Sequence, residues 1–174
     1  MRERSVPLWQ LVSIHIAAYG AIALILSPAP WGIAPLLAAP LIWASVVDIE
    51  RHEIPDLASL WIVLSGLVWL YLSPQVPLWP HLATGAMTGA VFYAIGEVYH
   101  RSTGVDGLGM GDAKLVAGLG LWVGPFGMVH LILIASLSAL AVIGVSRIGP
   151  TRIAGIAFGP FLCLAGWAIW LSKG

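Results

Sequence analysis

The sequence predicts an all-α integral membrane protein, a polytopic bundle of about six to seven transmembrane helices with a cytoplasmic N-terminus. Three observations carry this. Of 174 residues, 59% are apolar and only 9% charged, with a mean hydropathy of +0.93, whereas soluble domains carry roughly a quarter charged residues. The apolar residues gather into runs that can cross a bilayer, at about 20 residues each with shorter ones tolerated. The basic residues between the runs alternate onto one face, as cytoplasmic loops do.

The candidate spans are residues 8–27, 31–48, 57–72, 81–99, 113–124, 126–146 and 156–171. The first follows Arg2 and Arg4 as a signal peptide would, but signal peptides have apolar cores of about 7 to 15 residues, so it reads as a retained helix. The second ends on Asp48, and the third starts after Ile54-Pro55 with Asp56 placed to cap it. Gly85 and Gly89 in the fourth, and Gly120 and Gly124 in the fifth, have a spacing that lets helices approach closely. The fifth is short and Gly-rich, a half-helix or a sharply tilted span. With these crossings, Arg2, Arg4, Arg51, Arg101, Lys114, Arg147 and Arg152 all lie inside; only Lys173 falls outside. The longest polar stretch, His100 to Gly111, is a loop, so residues 1–174 read as one transmembrane domain.

The net charge is zero with pI near 7, which argues against nucleic acid as a partner. Cys163 is the one cysteine and reads as a packed residue; there is no CxxC pair for a thiolate zinc site. His15 reads as hydrogen-bonded inside the bundle, while His81 and His130 lie near helix ends. None has a Cys or Asp partner at ligand spacing, so neither a metal nor an organic cofactor is expected. Trp31, Trp79 and Trp122 sit near span boundaries, as an interfacial belt would.

The acidic residues, Glu3, Asp48, Glu50, Glu53, Asp56, Glu97, Asp106 and Asp112, all map to the cytoplasmic side. Asp48 and Asp112 each stand at the end of an apolar run, and two such carboxylates brought together can share a proton and activate water. Gly107, Gly109 and Gly111 before Asp112 remove side chains where a second backbone, such as an extended substrate, would approach. Glu50 and Glu53 carry the sign to attract a basic peptide. Lys114 reads as a lysine reaching for the interface, and Glu97 as an interfacial acid.

Asp48 followed by Ile54-Pro55-Asp56, then Gly109-Met110-Gly111-Asp112-Ala113-Lys114-Leu115, then Phe158-Gly159-Pro160-Phe161-Leu162, resembles the type IV prepilin peptidase family, the three motifs occurring in family order. The resemblance implies an intramembrane aspartic endopeptidase with Asp48 and Asp112 as its catalytic aspartates and Asp112 in the GxGD motif. It implies removal of the short basic leader of type IV prepilins or pseudopilins after a glycine, at the cytoplasmic face of the inner membrane. The expected partners are those substrates, the lipid bilayer, and components of a pilus or secretion assembly. The CxxC-bearing loop of the long, N-methylating forms has no counterpart in the sequence, so the resemblance is to short, peptidase-only forms. Two other readings are a small proton-coupled transporter with Asp48 and Asp112 as a relay, and an inactive pilus-assembly subunit. The transporter predicts acids near the midplane and leaves the glycine motif unexplained.

Overall fold

A computed structural model describes residues 7–26, 32–104, 109–148 and 156–172. Among these residues the regular elements are α-helices: α1 (Leu8–Leu26), α2 (Ala34–Arg51), α3 (Asp56–Leu72), α4 (Leu78–Thr103), α5 (Met110–Ile148) and α6 (Gly159–Leu171). The expected spans 113–124 and 126–146 both fall in α5, which leaves helical geometry at Gly124 (φ 60°, ψ −173°) just before Pro125. A side chain with a Cβ is strained at that φ, and Pro125 has no N–H to continue the helical ladder. Leu119 and Leu131 both reach Gly166 of α6, at 2.7 and 3.3 Å from where its Cβ would stand. A straight helix would hold residues twelve apart about 18 Å from each other. The chain therefore turns sharply at Gly124, and the arms 110–123 and 125–148 are separate helical segments, as the sequence predicts.

By length and hydropathy α1 and α5 qualify to cross a membrane, while α3 and α6 are apolar but shorter. Large apolar side chains face outward around the bundle, among them Leu24, Tyr71, Phe126 and Val145. So extensive an apolar exterior suits lipid and not water. In lipid the surroundings are as apolar as the core, so helices associate through close packing. Here small residues supply it: a Cβ on Gly120 would lie 2.5 Å from Gly85 Cα, and one on Gly89 would lie 2.8 Å from Ala117 Cβ. The glycine spacings do mark helix contacts.

Trp122 departs from expectation. Its side chain is fully buried, stacks on Trp69 with centroids 5.4 Å apart, meets Trp170 edge-on at 5.5 Å, and donates from Nε1 to the Ile62 carbonyl at 3.0 Å. Just before the bend in α5 it projects into the bundle centre, where the indole N–H finds a carbonyl and not the interface. Trp79 is exposed, as a belt residue should be; Trp31 lies outside the described residues.

Candidate active site

α2 carries Asp48 in its last turn and ends on His52, which adopts the left-handed conformation (φ 54°, ψ 38°) and donates its N–H to the Asp48 carbonyl. That conformation closes the helix and turns the chain. Ile54-Pro55 then leads into α3, whose N-cap is Pro55. The Asp48 side chain is buried, and its Oδ2 accepts a hydrogen bond from the Gly159 N–H at 2.9 Å. Gly159 is the first residue of α6, so Asp48 occupies the end of a helix where unpaired N–H groups and the helix dipole favour a carboxylate. A Cβ on Gly159 would stand 2.7 Å from that oxygen.

Asp112 lies in the first turn of α5, half-buried, with its N–H donated to the Gly109 carbonyl at 3.0 Å. Asp48 and Asp112 are near enough for their charges to act on each other, and Cys163, one turn into α6, lies within reach of both. Ile54 fills the space beside them. A Cβ on Gly111 would lie 2.9 Å from Ile54 Cβ, and one on Gly159 would lie 3.2 Å from Ile54 Cδ1. Two carboxylates from distant parts of the chain thus meet at one end of the bundle, where α2 and α4 finish and α3, α5 and α6 begin.

The structure separates the other expected site residues. Gly109 is exposed, with Asp112 Oδ2 3.6 Å from its would-be Cβ, leaving room for a second backbone. Gly111 has no such room: the side chain it lacks gives way to Ile54 of this chain, because the α2–α3 turn folds onto the start of α5. Gly107 lies outside the described residues. Glu53 is exposed and, with His52, Tyr93, Glu97, Gly109 and Met110, lines a cavity of about 480 Å³. Glu50 is exposed on α2 and is not in that lining.

Asp56 also departs from expectation. Asp56 is not the cap of α3; its Oδ1 accepts a hydrogen bond from Lys114 Nζ at 2.6 Å. Lys114, expected to reach for the interface, does so beside Asp56 and ties the start of α5 to the start of α3, since Gly111 packing on Ile54 brings the two helix ends together. Glu97 pairs with Arg101 one turn on, at 2.6 Å. His15, His81 and His130 each donate from Nδ1 to the carbonyl four residues back on their own helix. Sequence reasoning assigned no role to Gly159 itself; the Phe158-Gly159-Pro160 motif opening the last apolar run was the signal.

A family model described as the type IV leader peptidase family matches residues 35–144. The chain is 33% identical over 137 residues to a prepilin leader peptidase/N-methyltransferase of Xanthomonas campestris pv. campestris, covering 78% of this chain and 48% of that protein. It is 35% identical over 139 residues to the protein of that name from Neisseria gonorrhoeae, covering 79% and 48%. A type 4 prepilin-like proteins leader peptide-processing enzyme of Escherichia coli O78:H11 is 34% identical over 142 residues, covering 79% and 51%. The chain spans about half the length of these relatives. No solved structure matches it.

Proposed function

We propose, from the premise that this chain belongs to the type IV leader peptidase family, that it is a membrane-embedded aspartic endopeptidase that removes the leader peptide of type IV prepilins or prepilin-like proteins. Asp48 and Asp112 act as its catalytic pair. The observation that carries the reading is their meeting within electrostatic reach at one end of the bundle, with Asp48 held by the Gly159 N–H.

In the chemistry this supports, the ionised member of the pair takes a proton from a water as its oxygen attacks the scissile carbonyl. The protonated member gives its proton to the carbonyl oxygen. The tetrahedral intermediate then collapses, and the proton taken from water passes to the leaving amine. Ile54 keeps a hydrocarbon wall beside the pair, and Gly109 leaves the approach to Asp112 open. Because one carboxylate must be charged and the other neutral, kcat/KM is expected to be bell-shaped in pH.

The reading places the protein as a multi-pass protein of the inner membrane with this end of the bundle at the cytoplasmic face. The described charged residues support that orientation: Asp48, Glu50, Arg51, Glu53, Asp56, Glu97, Arg101, Asp112, Lys114 and Arg147 all belong to the ends of α2, α4 and α5 and the starts of α3 and α5, or the turns beside them, and the turn at Gly124 brings the end of α5 back toward its start. Glu53 is placed to meet a basic leader residue, and Glu50 less so.

The test is incubation of the purified protein with tagged prepilins, reading the new N-terminus of the product. Release of the leader by a single cut supports the proposal. No cut in any of several prepilins, by a protein shown to be folded, would refute it.

A further inference from the structure

The candidate catalytic pair lies beside a larger surface. α4 and the 110–123 arm of α5 run antiparallel: Gly85 and Gly89 pack against Ala117, and Gly120 packs against Gly85. Along the outer edge of this contact lies an open groove of about 430 Å³, lined by small residues that include Ala86, Ala90, Ala113 and Ala117. At its upper end the lining passes to Tyr93 and Met110. The same two residues line the polar cavity that holds Glu53, Glu97, His52 and Gly109. An apolar trough and an acidic, aromatic-walled cavity therefore adjoin at Tyr93 and Met110, and Asp112 borders the cavity through Gly109, whose would-be Cβ lies 3.6 Å from Asp112 Oδ2.

The two halves differ in what they fit. Apart from Lys114, whose ammonium is held by Asp56, the trough below Tyr93 and Met110 is lined by glycine and alanine, so a helix can lie close to its backbone and be held by packing in lipid. The cavity offers two carboxylates, and Tyr93 beside them suits the stem and charge of a lysine or arginine. Glu97 already holds the Arg101 guanidinium at 2.6 Å in an exposed pair, so this wall accepts a guanidinium in the folded chain. Exposed pairs of this kind are worth little, and an incoming cation can displace Arg101.

We propose that the substrate binds along this α4–α5 face, its apolar helix in the groove beside Ala86 and Ala90 and its cationic flanking segment in the cavity by Glu53 and Glu97. Its backbone crosses between them at Tyr93 and Met110 and passes Gly109, which brings the scissile bond beside Asp112. The inference rests on the peptidase reading and adds the route by which the substrate reaches the pair. Tyr93, Met110, Ala86 and Ala90 become determinants of specificity, and lateral entry from the bilayer is assigned to the α4 side.

The experiment uses the full chain in lipid nanodiscs with a tagged prepilin. Ala86→Phe and Ala90→Phe fill the groove from exposed positions, and Met87→Phe, on an exposed residue outside the groove lining, is the control. The expected result is a rise in KM of tenfold or more for the two groove variants with kcat within about twofold, and no change for Met87→Phe. In a second arm, Ala90→Cys on an Asp112→Asn background should crosslink to a cysteine placed in the apolar helix of the prepilin, and Glu97→Cys to one in its leader.

Cleavage by the wild type with unchanged KM in both groove variants and no crosslink overturns the inference and leaves the peptidase reading standing; a lipid chain in the groove would give that result. Crosslinking of Ala90→Cys only to a second copy of the chain overturns it as well. Failure of the wild type to cleave any prepilin overturns the peptidase reading, and this inference with it.

Discussion

Asp48 Oδ2 accepts its hydrogen bond from the backbone N–H of Gly159, 111 residues further along the chain, at 2.9 Å. This bond joins the end of α2 to the start of α6, and only glycine fits on the α6 side, since a Cβ would stand 2.7 Å from the oxygen it serves. Gly159→Ala should therefore displace the Asp48 carboxylate. A shift of about 1 Å in a reacting group can cost on the order of a hundredfold in rate. We expect a loss of kcat of that order, with prepilin still crosslinking to the inactive enzyme. A wild-type rate in Gly159→Ala would mean that this bond does not position Asp48.

The space beside Gly111 is filled by Ile54 of this chain. Gly111→Ala puts a methyl group 2.9 Å from Ile54 Cβ, and overpacking of this kind costs roughly 1–3 kcal/mol. If the conflict is with Ile54, shortening that side chain relieves it, so the double variant Gly111→Ala/Ile54→Ala should recover activity and thermal midpoint relative to Gly111→Ala alone. Were Gly111 instead a substrate contact, Ile54→Ala would rescue nothing.

Helix positions were legible in the sequence wherever an apolar run ended on charge or proline, as at Asp48 and before Asp56. The separate segments of α5 were legible for the same reason, because Gly124-Pro125 combines a residue that tolerates positive φ with one that cannot continue a helix. The pairing of Asp48 with Asp112 at one end followed from counting crossings. What was not legible depends on partners remote in sequence. A glycine needed for close approach looks the same whether the neighbour is a substrate or Ile54, and Asp56 looks like a cap until Lys114, 58 residues away, is placed beside it. Trp122 misled because tryptophan near a run's end suits both an interface and a core, and only the bend in α5 decides.

The Lys114–Asp56 ion pair is exposed, with side chains 44% and 77% accessible, so solvent screens it and its coupling should be small, roughly 0.2–1 kcal/mol. A double-mutant cycle on Lys114→Ala and Asp56→Ala, read by thermal unfolding, should give a coupling in that range that falls in high salt. A coupling that is large and indifferent to salt would contradict an exposed tether.

Gly124→Ala meets two obstacles. Its φ of 60° disfavours a Cβ, and that Cβ would stand 2.5 Å from His81 Nε2. Strain at such a φ costs on the order of 1–3 kcal/mol, and the ring contact adds to it. We expect Gly124→Ala to lower the thermal midpoint more than Gly144→Ala, where the added methyl meets nothing within 4 Å. Equal midpoints would argue against a rigid turn between the arms of α5.

The central claim is that Asp48 and Asp112 work as one unit. Single-turnover cleavage of a tagged prepilin by wild type, Asp48→Asn, Asp112→Asn and the double variant, all shown to be folded, tests it most directly. Groups that act together are strongly non-additive, so each single variant should lose on the order of a thousandfold or more in rate, and the double should be no worse than either. A single variant that cuts at the wild-type rate, or losses that simply multiply in the double, would contradict the account.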